Sequence, residues 1–329
     1  MPNKPLSAIC LSTKQAVDGF LLDLGASRRS PSTIEAYRTV LKFLVDYAEK
    51  EDWPPVDQIA PRHLRAYFAG IQTRPRWFGQ RDASRKPISS SYYETIYRRT
   101  KRFFNWLVAE EEIASNPMAR IQHPKIEEKV IPIVSETDFA KLLKLTDPQL
   151  RRTKREKFRA IRDRAALWLL CDTSGRKDEI AGISVEDVDL QQRRVLVMGK
   201  GRKERYLWVG NTTAKALWRY LREREGVYPI TDDLWVDAEG RPMTSAWLYF
   251  MLKRLGRSAG IPNLHTHRFR HTYAIRMIEG EVPLPVLEVM GGWRRIPRTY
   301  LATLGDRTAK EFHQKVSPAD RLAKKVRKR

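Results

Sequence analysis

Apolar residues recur at helical spacing along most of this chain. Ile34, Tyr37, Leu41 and Leu44, widened by Val40 and Tyr47, draw a stripe along one face of a long helix. Ser30 suits its N-cap and Pro31 its first position, and Pro54-Pro55 breaks it. A shorter helix over Gln15–Leu24, ended near Gly25, precedes it, and another over Arg62–Ile71 follows. A fourth, Ser89–Glu111, carries Ile96, Thr100, Phe103 and Leu107 on one face and stops at Asn116-Pro117. Between the last two, Arg74–Pro87 is rich in Arg, Gly and Pro, with Trp77 and Phe78, and is expected as a basic surface loop. There is little strand signal in this half.

The pattern changes around residues 121–134, where His123-Pro124 and Ile131-Pro132 favour an extended path and place a domain boundary. Beyond it, Glu136–Leu145 is expected as a helix. Arg151–Arg164 holds eight Lys or Arg in fourteen residues, a solvated helix face or a phosphate contact, and Ala165–Leu170 is expected as buried helix. Two β-rich runs, Arg194–Met198 and Arg205–Val209, are joined through Gly199-Lys200-Gly201 and predict a hairpin with Lys200 at its tip. Helices follow over Thr212–Arg224, Thr244–Leu255, from His267 to Gly280, and over Pro283–Met290, with a basic tail from Glu311 to Arg329. The fold class is therefore mainly α with a small β-sheet or hairpin in the C-terminal domain.

Charge narrows the choice of partner. Lys and Arg number 62 against 39 Asp and Glu, a formal charge of +23. Such an excess calls for something anionic, most commonly nucleic acid and otherwise a membrane surface, and basic helices with outward Arg and Lys suit a duplex backbone; a helical dimerisation module is the competing use of these helices. No apolar run is long enough to span a membrane, and the N-terminal ten residues lack a signal-peptide core. Cys10 and Cys171 lie far apart and outside any ligand motif, which points to a reducing cytosol.

The candidate chemistry concentrates between His265 and Tyr300. On a helix His267, Arg270, His271 and Ala274 share one face, so two imidazoles and a guanidinium stand together. A guanidinium fork matches a phosphate, and an imidazole moves protons near neutral pH. Tyr300 follows Arg294, Arg295 and Arg298, cations expected to favour its ionised, nucleophilic form. Upstream, Gly175 permits a tight turn before Arg176, which stands where a helix begins, and Glu179 one turn on can fix its rotamer. No carboxylate or cysteine joins His265, His267 and His271, so neither a metal nor another cofactor is expected. Metal-free phosphoryl transfer needs cations on the non-bridging oxygens, a nucleophile and an acid for the leaving oxygen. Arg176, Lys200, His267, Arg270 and Tyr300 offer that set in order.

With these residues in place the chain resembles the tyrosine recombinases of the phage integrase family over nearly its whole length. Arg176 with Glu179-Ile180 matches the family's first arginine, Lys200 its hairpin lysine, and His267-Arg268-Phe269-Arg270-His271 its His-x-x-Arg-His box. Trp293 takes a position filled by His or Trp, and Tyr300 matches the nucleophile. Trp293 and Tyr300 lie closer together than is usual, and an indole cannot do acid–base work. The resemblance implies a helical SAM-like core-binding domain (residues 1–122), a linker (123–134) and an α+β catalytic domain with a basic tail (135–329), closing as a C-shaped clamp on DNA. It implies a site-specific recombinase, independent of metal and ATP, acting through a 3′-phosphotyrosine and a Holliday junction. The catalytic set is Tyr300, Arg176, Lys200, His267, Arg270 and Trp293, supported by Glu179 and His271. The partner is double-stranded DNA, with a homotetramer on two sites and a monomer when free, in the cytoplasm and away from membranes. A type IB topoisomerase shares the chemistry, and a non-catalytic DNA-binding protein shares the fold; both remain open at this point.

Overall fold

The computed structural model describes residues 11–73, 75–76, 84–124, 132–199, 203–297, 300, 313–314 and 317–319. These divide into two compact units, one up to residue 128 and one from residue 129.

The first unit is built on α1 (Thr13–Ala26), α2 (Pro31–Lys50), α3 (Pro61–Thr73) and α4 (Ser90–Ala109). Side-chain oxygens set the starts. Ser12, Ser30 and Ser89 each accept a backbone N–H three residues on, and Pro31 takes the first turn of α2, where no N–H is needed. The stripes then meet. Phe20, Leu41, Leu44, Leu64, Tyr67, Phe103 and Leu107 are buried together, with Phe20 edge-on to Phe103 at 5.8 Å. Arg38, Lys42, Arg62, Arg65, Arg98 and Arg102 are left exposed, as a basic outer surface requires. The expected loop at 74–87 is partly a ladder instead. β1 (Pro75–Arg76) and β2 (Ser84–Pro87) pair antiparallel, a two-stranded piece too short to leave a period-2 pattern. Trp77 and Phe78 lie outside the described residues.

The second unit packs α5 (Glu136–Leu145), α6 (Lys154–Asp172), α7 (Lys177–Ala181), α8 (Asn211–Glu225), α9 (Ser245–Ala259), α10 (Thr266–Glu279) and α11 (Leu284–Gly291) around a small sheet. The sheet holds β3 (Val188–Asp189), β4 (Arg194–Met198) and β5 (Glu204–Trp208) in that order, all antiparallel, with Val195 opposite Leu207. Val195, Val197 and Leu207 face inward onto Leu142, Leu167, Leu170, Tyr220, Leu252 and Phe269. Trp235, in the irregular chain between α8 and α9, is fully buried and donates its indole N–H to Ile180 O at 2.6 Å.

The basic run and the apolar run of residues 151–170 prove to be parts of one helix, α6. Most of its cations are exposed, but Arg162 is not. It lies buried beside Asp163, with Nη2 2.9 Å from Oδ1, and Nη1 donates to Val236 O at 3.1 Å. Arg254 reaches the other oxygen of Asp163 at 2.7 Å. Arg162 is therefore a satisfied core cation rather than a solvated or phosphate-facing one. Of the expected basic tail, only residues 313–314 and 317–319 lie within the described set. No helix among the described residues is long and apolar enough to cross a membrane.

Candidate active site

Three elements of the second unit converge: the turn Ser174–Arg176 between α6 and α7, the first turns of α10, and the end of α11. The end of α11 organises the rest. Gly292 takes φ +58°, and the N–H of Trp293 returns to Glu288 O at 2.9 Å, closing the helix as glycine allows. That closure leaves carbonyls at Met290, Gly291 and Gly292, and each accepts a hydrogen bond from a different arginine. Arg205 Nη1 reaches Met290 O at 2.9 Å, Arg270 Nη2 reaches Gly291 O at 2.7 Å and Arg176 Nη2 reaches Gly292 O at 3.2 Å. The carbonyl end of a helix dipole favours such cations.

Arg176 caps α7 as expected and is only partly covered, its side chain 39% exposed. Its Nη1 lies 2.6 Å from Glu179 Oε1, and its backbone N–H donates to Oε2 at 2.9 Å. Glu179 is itself buried and shared, because Arg205 Nη2 donates to Oε2 at 2.8 Å. Burial pushes the Glu179 carboxyl up, but the Arg176 N–H and the two guanidinium groups outweigh it and hold the carboxyl below its ordinary value. This is no surface ion pair of small worth: the carboxylate is an anchor for two guanidinium groups.

Arg270 is buried at 3% exposure, with Nη1 on Ser174 O and its plane over the Trp293 ring, 4.3 Å from the centroid. Burial, then Arg176 and Arg205, lower its pKa to about 10, so it stays charged at neutral pH. Tyr300 is buried at 2% exposure and its phenol hydrogen-bonds with Arg270. Its ring lies 5.0 Å from that of His271 and 5.7 Å from that of Trp293, both edge-on. His271 in turn meets His267 at 4.8 Å. His271 is half-buried, its Nδ1 has no hydrogen-bond partner among the described residues, and burial followed by the charge of His267 lowers its pKa to about 4. His267 keeps an exposed edge, yet partial burial and then Arg270 lower its pKa too. Both imidazoles are thereby biased to the neutral form, able to accept a proton.

The structure thus brings together Arg176, Glu179, His267, Arg270, His271, Trp293 and Tyr300. Lys200 lies outside the described residues; of its neighbours, Gly199 donates its N–H to Lys203 O at 2.8 Å. The expectation for the tyrosine's acidity is corrected. Burial raises the Tyr300 pKa, and Arg270 offsets this only in part. Arg294 and Arg295, adjacent in sequence, are exposed, and Arg298 lies outside the described residues. Arg205 and Ser174 were not among the candidates. Arg205 alternates with exposed Glu204 and Tyr206 on β5, so the period of the strand already turns it inward beside Leu207.

One consequence concerns Gly291. A Cβ there would lie 1.7 Å from Trp293 Cε3, so the indole would have to leave its place over Arg270. Such overpacking costs about 1–3 kcal/mol. Gly291→Ala is expected to melt several degrees lower, with an altered tryptophan spectrum; an unchanged melting curve would contradict the contact.

The chain is similar to proteins already known. Residues 140–302 match the model of the Phage integrase family. Tyrosine recombinase XerC of Pseudomonas syringae pv. syringae is 29% identical over 290 residues, 88% of this chain and 91% of that one. Tyrosine recombinase XerD of Shewanella oneidensis is 28% identical over 311 residues, 92% and 96% of the two chains. Among solved structures, the Tn1549 transposon integrase in complex with transposon right end DNA superposes with a TM-score of 0.71 over 93% of this chain and 100% of that one, at 16% identity. The matched region takes in Arg176, Glu179, Lys200, the His267–His271 box, Trp293 and Tyr300, and over it the chain is similar to the phage integrase family, the tyrosine recombinases.

Proposed function

We propose that this chain is a site-specific DNA recombinase that cuts and rejoins strands through a covalent bond to Tyr300. The observation that carries this is the hydrogen bond between the Tyr300 phenol and Arg270, while Arg270 and Arg176 are held side by side on the carbonyls of Gly291 and Gly292. A scissile phosphate placed over the two guanidinium groups has its non-bridging oxygens neutralised, within reach of the phenol oxygen.

The steps follow from that placement. The Tyr300 oxygen attacks phosphorus and forms a 3′-phosphotyrosine, the bond to the 5′-oxygen breaks, and His267 assists the removal of the phenol proton. Lys200 protonates the departing 5′-oxygen. The indole of Trp293, which cannot transfer a proton, keeps the Arg270 plane in place and offers one N–H. Glu179 orients Arg176, and His271 packs between His267 and the nucleophile. A 5′-hydroxyl from a second duplex then reverses the reaction, giving exchange through a Holliday junction. Residues 1–122 act as the core-binding domain, 123–134 as the linker and 135–329 as the catalytic domain. Four protomers assemble on two DNA sites, in the cytoplasm. The relatives named as tyrosine recombinases and the integrase bound to transposon DNA support this reading.

The test begins by selecting, from a randomised pool, a duplex that the wild-type chain binds. That duplex is nicked beside the cleavage position so that the cut fragment diffuses away. Wild type is expected to accumulate a covalent adduct whose DNA lies on the peptide containing Tyr300. No adduct on a bound site would sink the proposal. Two distinguishable duplexes then separate recombination from topoisomerase action, since exchanged product requires the former. Binding should also weaken steeply with salt, because many phosphates are neutralised at once; a flat response would contradict the basic surface.

A further inference from the structure

Arg205 is placed at the centre of the site without facing the reacting atoms. It lies on β5, one residue from the strand's start, with its side chain 13% exposed against 39% for Arg176. Its terminal nitrogens point to different elements. Nη2 meets the shared carboxylate, Glu179 Oε2, at 2.8 Å, and Nη1 meets Met290 O at 2.9 Å, with Ser174 Oγ at 3.5 Å. Ser174 Oγ donates to the same Met290 carbonyl at 3.1 Å. The aliphatic stem runs beneath Gly292, where a Cβ would approach Nε to 2.9 Å and Cδ to 3.0 Å. One guanidinium therefore ties β5, α7 and the last turn of α11 together. A planar fork with fixed donor directions can span two such acceptors at once, and a single ammonium cannot.

Glu179 sets the rotamer of Arg176, and the end of α11 sets where the chain departs toward Trp293 and Tyr300. We propose that Arg205 is a positioning residue for the nucleophile: it locks the end of α11, and with it the approach to Tyr300, against the carboxylate that orients Arg176. This rests on the assignment of Tyr300 as nucleophile made above. Arg205 contacts no DNA in this account; its work is to hold the attacking oxygen and the phosphate clamp in one register. Misplacement of a reacting group by about 1 Å can cost about 10²-fold in rate.

The experiment uses the full chain and the selected nicked duplex, with Arg205→Met and Arg205→Lys. Arg205→Met keeps the stem and removes both donors; Arg205→Lys keeps the charge and loses the fork. Adduct formation is expected to slow by about 10²-fold in Arg205→Met and by less in Arg205→Lys. Binding to the uncut duplex should stay close to wild type. A second duplex, in which sulfur replaces the scissile 5′-oxygen, separates a misplaced nucleophile from a fault in leaving-group protonation, while unchanged binding and melting temperature separate both from a loss of structure. A thiolate leaves without needing a proton, so it relieves a fault in leaving-group protonation but not a misplaced nucleophile. Arg205→Met should be slowed by the same factor on both duplexes. Restoration by sulfur would overturn the proposal, as would a wild-type rate or a loss of binding equal to the loss of cleavage. If Arg205→Met does not fold, Arg205→Lys decides: slower cleavage at unchanged binding and melting temperature upholds the proposal, and a wild-type rate overturns it. Absence of any adduct with wild type would fell the nucleophile assignment, and this inference with it; an adduct formed equally by wild type and Arg205→Met would fell the positioning role alone.

Discussion

Tyr300→Phe will bind the selected duplex as wild type does and form no covalent adduct on it. The substitution removes one oxygen from a ring that is 2% exposed and packed edge-on against His271 and Trp293. Phenylalanine keeps those ring contacts and their volume, so the packing has no cause to change. What is lost from the free protein is the hydrogen bond with Arg270, worth about 1 kcal/mol, and slightly more where the partner is charged. Melting should therefore shift little. Cleavage loses its nucleophile. The measurement is denaturing electrophoresis of labelled duplex after incubation with each protein. Adduct formed by the phenylalanine variant at any rate comparable to wild type would remove Tyr300 from the mechanism.

The buried state of Tyr300 shows where sequence alone leads astray. Arg294, Arg295 and Arg298 stand beside it in the chain, so ionisation looked favoured; in three dimensions the described neighbours face solvent and burial dominates. Sequence adjacency reports linear distance, whereas acidity follows desolvation and the charges that actually face the group. The helices of the first unit were legible because their signals are local: serine caps, a proline at the first turn, and apolar stripes at helical period. α6 was harder. Its charged half and its apolar half differ in composition, and only the fold places Arg162 on the buried side. The box on α10 was legible for a related reason, since its spacing alone puts His267, Arg270 and His271 on one face. The acceptors at Met290, Gly291 and Gly292 could not be read in that way. Backbone carbonyls carry no residue identity, and what exposes them is the helix end that Gly292 closes. Sequence therefore named two of the three donors, Arg176 and Arg270, and left Arg205 and the acceptors unnamed.

Those acceptors make Arg270 the most demanding position to replace. Arg270→Lys preserves charge, yet it is expected to cut adduct formation by about 10²–10³-fold, the loss typical when one donor to a developing oxyanion is removed. The reason lies in geometry. The guanidinium gives Nη1 to Ser174 O and Nη2 to Gly291 O, lays its face on Trp293, and still bonds with the Tyr300 phenol. An ammonium at the end of a lysine stem has no planar face and cannot span both carbonyls. One of the two, in a site only 3% exposed, is then left without a donor, which costs about 1–3 kcal/mol. The end of α11 loosens as a result, and Trp293 with it. A buried ammonium is also easier to deprotonate than a guanidinium, with Arg176 and Arg205 nearby pushing the same way, so the charge itself weakens as pH rises. The variant should thus show a lower melting temperature, binding to the uncut duplex reduced far less than cleavage, and a cleavage rate that falls toward alkaline pH sooner than that of wild type. An Arg270→Lys chain that forms adduct at the wild-type rate would show that charge alone suffices here, and that the fork held between Ser174 and Gly291 is incidental to the chemistry.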